Sequence, residues 1–404
     1  MTVAVTTPDE LRSALERGDR EIAVQGRLTG LPGFTVAPGV RLIGDAELVF
    51  ADGHDGVRIT AENYLQGLRI TVSDPTRRAV HNDTGQTDLG RMVMTGLTTN
   101  GRVQIVAADA LRTGHLEVGG LDIEAADART AEPRPSGFNV DVRQGAFTLY
   151  NQQRDRTSLL TADLTGIVVG RENNPVRGSG VFVSGTPGGG RISGTRLHTG
   201  AVYTDGGIEP GTAGQITGGV FIGYADFTQV INEGPVTTYG ANDMALDLWG
   251  DVDEWTAHAP VTTHGPSGIG FVNFGSIDTL RCLAPIITTG TGARGFNLYD
   301  GTIGTAEFAS ITTHADAAVG IQLSRPMGDL IIHGGIETHG GIGQSLVKGE
   351  IVTLSAVALS VKAGAHVRHL RVDGGLRVHG MGVIPIEIAG AIDELTIRGG
   401  IHPA

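Results

Sequence analysis

Val261-Thr262-Thr263-His264-Gly265 recurs as Ile286-Ile287-Thr288-Thr289-Gly290, as Ile311-Thr312-Thr313-His314-Ala315 and as Ile336-Glu337-Thr338-His339-Gly340. The starts at 261, 286, 311 and 336 give a period of 25 residues. Val236-Thr237-Thr238-Tyr239-Gly240 keeps that period one step earlier. Leu97-Thr98-Thr99-Asn100-Gly101 and Leu376-Arg377-Val378-His379-Gly380 carry the pattern outside the strict register. A second run stands at a fixed offset: Leu246-Asp247-Leu248-Trp249, Phe271-Val272-Asn273-Phe274, Phe296-Asn297-Leu298-Tyr299 and Ile321-Gln322-Leu323-Ser324, with Phe221-Ile222-Gly223-Tyr224 one repeat before. A third apolar run lies between them, as in Leu280-Arg281-Cys282 and Leu330-Ile331-Ile332. Three short alternating runs per repeat predict three strands, one coil of a three-sided solenoid. No repeat holds a helical-period stretch long enough for a helical array.

The front of the chain reads differently. Thr7 predicts an N-cap, Pro8 the first turn, and Asp9 and Glu10 suit the positive end of a helix. Leu11, Ala14 and Leu15 form its apolar face and Gly18 its stop. Such a helix would cover the open edge of the first coil. With this helix from Pro8 to Arg17, the runs Ile22-Ala23-Val24 and Val40-Arg41-Leu42-Ile43-Gly44, and the coils from residue 40 onward, the sequence resembles the pectin-lyase-like superfamily of right-handed parallel β-helices. The resemblance implies an all-β, single-stranded right-handed parallel β-helix. Residues 1–39 would be an N-terminal strand and capping helix, and 40–404 the β-helix. It says little about activity, because the fold hosts lyases, hydrolases, epimerases, transferases, tailspikes and adhesins.

Composition agrees with many short strands and tight turns: 63 glycines, 5% aromatic and 18% charged residues. The net charge of -13 disfavours nucleic acid and anionic membranes as partners, and polyanionic saccharides too unless a basic patch or metal offsets the field. No apolar run reaches membrane-spanning length and no signal peptide is read, which predicts a cytoplasmic location. The single cysteine, Cys282, sits in an apolar run and reads as an inert core residue.

Alternation assigns the faces. Leu246, Phe271, Phe296, Ile321, Leu248, Asn273, Leu298 and Leu323 point inward. Asp247, Val272, Asn297 and Gln322 then point outward, as do Tyr224, Trp249, Phe274, Tyr299 and Ser324. An exposed aromatic column is read first as a sugar-stacking platform, with Asp247, Asn297 and Gln322 supplying hydrogen bonds. A subunit interface of a homo-oligomer, dimer or trimer, and cover by a loop are the other two readings. Insertions at Asp127 to Ser136, Arg171 to Ser179 and Tyr203 to Thr217 border that side and bring Arg171, Arg177, Asp205 and Glu209.

Glycosidic chemistry commonly uses two carboxyl groups. The candidates are Asp243, Asp247, Asp251, Asp253 and Glu254, together with Asp205, Glu209 and Asp226. Asp247 leads, because the repeat fixes its face; Asp253, with Asp278 and Asp393, reads as a turn residue. The Asn-Thr-Asp, Asp-Asp and Gly-His-Gly pattern of polygalacturonases is absent, and no pectate-lyase calcium cluster is recognisable. No cofactor is called for. The column Tyr239, His264, Thr289, His314, His339 predicts stacked surface imidazoles without a metal, because a flat ladder supplies ligands along one line. The inward Thr99, Thr238, Thr263, Thr288, Thr313 and Thr338 are expected to bond turn backbone. The leading expectation is a carbohydrate-active enzyme, a glycoside hydrolase, lyase or glycosyl transferase, acting on a neutral or weakly charged saccharide. The alternative is a non-catalytic β-helix that binds glycan or assembles through its flat faces. The discriminating feature is whether two carboxyls, or a carboxyl and an Arg or Lys, converge beside Trp249 under the 203–217 loop.

Overall fold

The computed structural model describes residues 2–347 and 350–404. Among these residues, 37 strands join one sheet whose pairings are parallel almost throughout. The repeat sets the register. Val236, Val261, Ile286, Ile311 and Ile336 are successive Cα partners. So are Leu246, Phe271, Phe296 and Ile321, and so are Trp255, Leu280, Ala306 and Leu330. An all-β chain in which each strand pairs with its counterpart one repeat away is compatible with a β-helix solenoid.

Two departures matter for the site. The partner after Ile336 is Leu376, 40 residues on, because an antiparallel hairpin of Ile342–Val347 and Glu350–Ser355 occupies the extra length. The ladder resumes in step beyond it, so His379 becomes the rung after His339. The second departure lies in strand Gln215–Asn232. Gly223 pairs with Trp249 and Asp226 with Asp251, so Tyr224 and Ala225 together oppose Gly250. This is a β-bulge, and Tyr224 takes a left-handed φ of 48° in it. Tyr224 is therefore not the rung before Trp249, and Phe221 pairs with Asp247, outside the main core.

The core is continuous from Val5 to Val383. Leu246, Phe271, Phe296 and Ile321 are fully buried in it, as the alternation predicts. Trp255 is fully buried and donates from Nε1 to Asn232 Oδ1 at 2.8 Å; Asn232 Nδ2 donates in turn to Thr199 Oγ1 at 2.8 Å. At one corner Gly250, Gly275 and Gly301 stack so closely that a Cβ on Gly275 would stand 1.9 Å from the Gly250 carbonyl oxygen. Only glycine allows rungs to meet at that spacing.

The helix Pro8–Arg17 begins with a full capping box, in which Thr7 accepts from the Glu10 N–H and the Glu10 carboxylate accepts from the Thr7 N–H. It buries Leu11 and Ala14 against the first strands and ends at Gly18 in the left-handed region. No helix among the described residues is long and apolar enough to cross a membrane.

Candidate functional site

The aromatic column is covered rather than open. Trp249 and Tyr299 are only 5% and 9% exposed, and Phe274 is half-buried. The cover is a hairpin that follows the first insertion and shares only Ser136 with it. Strands Ser136–Gly137 and Val140–Val142 pair antiparallel around Phe138 and Asn139, whose φ values of 50° and 67° are both left-handed. Such angles suit a two-residue hairpin turn, and Asn adopts them readily whereas Phe does not. The Phe138 ring is held there by Phe274, at 4.3 Å between centroids, and by Trp249 at 5.1 Å, edge-on. Beneath it runs a second apolar cluster that includes Phe182, Phe221, Met244, Ile269 and Val272. The space left between hairpin and sheet is about 60 Å³, too small for a sugar ring. Of the three readings of this column, cover by a loop is what these residues adopt.

The polar candidates on this face are covered as well. Asp247 and Asn297 are completely buried, and among the described residues neither side chain makes a hydrogen bond of good geometry. Gln322 is 7% exposed. Burial drives the Asp247 carboxyl well above the usual carboxylate range, and the nearby Trp249 indole offsets this only in part. Asp247 therefore does not face solvent. The alternation placed it on the outer face correctly, but alternation carries no information about a hairpin inserted over a hundred residues earlier.

The remaining candidates disperse. Asp243 is fully buried and accepts from the Gly206 and Gly240 N–H groups at 3.1 and 2.8 Å and from the Thr217 hydroxyl. It acts as a turn anchor, and burial raises its carboxyl to about 6 despite those bonds. Because that value lies above the unfolded one, the unfolded chain releases this proton first, and stability falls as pH rises from about 4 to about 6. The shift corresponds to roughly 3 kcal/mol. Denaturant titrations across that window are expected to show the loss, and Asp243→Asn should flatten it. Asp205 is ion-paired with Arg177, and Arg171 with Asp122 at 2.7 Å and Glu124 at 3.4 Å, so both arginines are engaged by neighbouring carboxylates. Glu209 is exposed in its loop, and Glu254 is exposed on the next strand segment beside Gln229 and Thr279.

An open concavity beside Trp249 lies at the bulge, with no residue of the 203–217 loop in its lining. It is a cleft of about 470 Å³ lined by Arg156, Arg191, Tyr224, Asp226, Trp249 and Asp251, with Gly250 and Gly275 in its floor. Asp226 and Asp251 are directly opposed across adjacent strands, which stand about 4.8 Å apart in a sheet. The bulge aims both into the cleft. Arg191 pairs with Asp226, and Arg156 is held by its Nε bond to the Gly188 carbonyl at 2.9 Å. Asp226 is raised above the usual range, first by burial; Arg191 opposes the shift, and the Asp251 carboxyl, close enough to share a proton, adds to it. The arrangement therefore favours the protonated form of Asp226 more than an isolated surface carboxyl would be favoured. Two arginines and two aspartates leave the lining formally neutral. Sequence reasoning named Asp226 and Asp251 among its carboxylates but missed Arg156 and Arg191, which fall outside the 25-residue repeat.

On another series of strands the imidazole column forms as expected. Tyr239 stacks on His264 at 5.1 Å, and His314, His339 and His379 stack at 4.8 and 4.3 Å. Of the inward threonines, Thr99, Thr313 and Thr338 donate to turn carbonyls, whereas Thr238, Thr263 and Thr288 are buried without a partner. Cys282 is buried, its thiol pushed up to about 12. Arg294, which sequence reasoning passed over, is fully buried where Ser345 of the 342–355 hairpin accepts from it at 3.1 Å. No protein family, no curated protein and no solved structure matches this chain.

Proposed function

We propose that the protein is a right-handed parallel β-helix, with the segment 1–39 closing its first coil, and that it is a carbohydrate-active enzyme working in the Tyr224–Asp251 cleft. The substrate in this reading is a neutral or weakly charged saccharide, and the chemistry is hydrolysis, elimination or glycosyl transfer. The observation that carries it is the pair Asp226 and Asp251 beside Tyr224 and Trp249. A half-buried aromatic ring offers a flat apolar face to sugar C–H groups, and Arg156 and Arg191 offer donors to hydroxyls. The balanced lining charge supports a substrate of little net charge. Two carboxyls in register on adjacent strands suit paired acid–base or nucleophilic chemistry.

The test is a glycan binding and cleavage screen, followed by Tyr224→Ala on whatever saccharide responds. Loss of the stacking ring should weaken binding by about 1–3 kcal/mol, with Tyr224→Phe close to the parent. A screen without any saccharide bound or cleaved ends the reading. Binding without turnover supports the non-catalytic glycan-binding reading instead.

A further inference from the structure

We propose that Glu337, His339 and His379 form a binding site for a zinc-class divalent transition-metal ion on the outer face of the imidazole column. Among the described residues they are the one group of three potential ligands whose donor atoms all lie within 4.8 Å of one another. Glu337 Oε1 is 2.7 Å from His379 Nε2 and 3.5 Å from His339 Nε2. Donors around a tetrahedral zinc ion, each bonded at about 2.0–2.1 Å, stand roughly 3.4 Å apart. The two Glu337 separations bracket that value and the third is at most 4.8 Å, so the exposed side chains would close onto one ion once the two histidine rings turn out of their parallel stack.

The geometry answers the objection that a ladder supplies ligands in a single row. His339 and His379 are successive rungs, stacked 4.3 Å apart with ring planes 2° from parallel. Glu337 stands two residues before His339, on the same face and one step off the row. Two donors from one strand end and one from its neighbour define a triangle, which is what a three-ligand metal face requires. Arg377 pairs in register with Glu337 but makes no ion pair with it among the described residues, so the partners an ion would displace at this carboxylate are the two histidines themselves. The 342–355 hairpin makes the site by its length: it shifts the last histidine of the column from the 25-residue register into the rung beside His339. Two imidazoles and a carboxylate suit zinc, nickel or cobalt rather than calcium or magnesium. Three protein ligands leave an open coordination position for water or an outside ligand. The site lies on a different strand series from the Asp226–Asp251 cleft and does not depend on its function.

The test uses the intact protein stripped with chelator and titrated with Zn2+ by calorimetry and with Co2+ by visible absorption. The expected result is one equivalent bound, with the d–d bands of four- or five-coordinate Co2+. His379→Ala and Glu337→Gln should each weaken binding by about tenfold to a hundredfold or more, while His264→Ala, three rungs away, leaves it unchanged. Circular dichroism of each variant checks that the fold persists. No stoichiometric binding, or equal weakening by His264→Ala, would overturn the proposal.

Discussion

Asp226→Asn is expected to cut turnover of a saccharide processed in the cleft by about a hundredfold or more, while leaving its binding nearly intact. Burial and the adjacent Asp251 hold the Asp226 proton to higher pH than an ordinary carboxyl would. A group so held can donate its proton to a leaving oxygen at higher pH than an ordinary carboxyl can. Activity should therefore fall on the alkaline side as pH rises through the raised value. Arg191 pulls that value down, so Arg191→Gln should move the alkaline limb to higher pH. Asp251→Asn should also lose turnover, because the dyad then lacks its second carboxyl. Rate profiles of the parent and the three variants decide the matter. Parent-like turnover in Asp226→Asn would remove the dyad from the chemistry without touching the fold.

Trp255→Ala is expected to be the most damaging single truncation in the core. The indole is fully buried, and large-to-small aromatic changes in cores cost about 3–5 kcal/mol. Here a second cost is added, since Asn232 Oδ1 loses its indole donor in a place water does not reach. Trp255→Phe separates the two: it keeps most of the volume and should lose roughly 1–3 kcal/mol, the cost of the unpaired amide oxygen. Chemical denaturation of both variants would show the difference. Equal losses would mean that the indole hydrogen bond alone matters at this position, and a parent-like Trp255→Phe that volume alone does.

The pairing register was legible because it is written as a spacing. Val261, Ile286, Ile311 and Ile336 share a residue type, a period and, in the structure, a ladder. The helix Pro8–Arg17 was legible because caps are local chemistry. What sits on top of the sheet was not. Phe138 finds Trp249 across more than a hundred residues, and nothing in the repeat announces that contact. The same limit hid the rung between His339 and His379, since it appears only once the 342–355 hairpin is folded out of the way. The carboxylate pair was half legible. Asp226 and Asp251 are one period apart, yet the bulge at Tyr224, which aims them, breaks the register that would have singled them out.

The ladder also fixes how the molecule would yield to force. Ile311 is bonded through its neighbours to Ile286 on one side and Ile336 on the other, and the remaining rungs of that series follow the same rule. A pull applied at the chain ends therefore loads only the outermost rung, whose few hydrogen bonds must break before the next rung feels tension. The protein would part like a zip, at low force and over a long extension, rather than rupture in one event. A pull directed across the stack, between residues of the same series far apart, would load many rungs in shear at once. One chain thus has a soft axis and a stiff one, and which of them is felt depends only on where the force is attached.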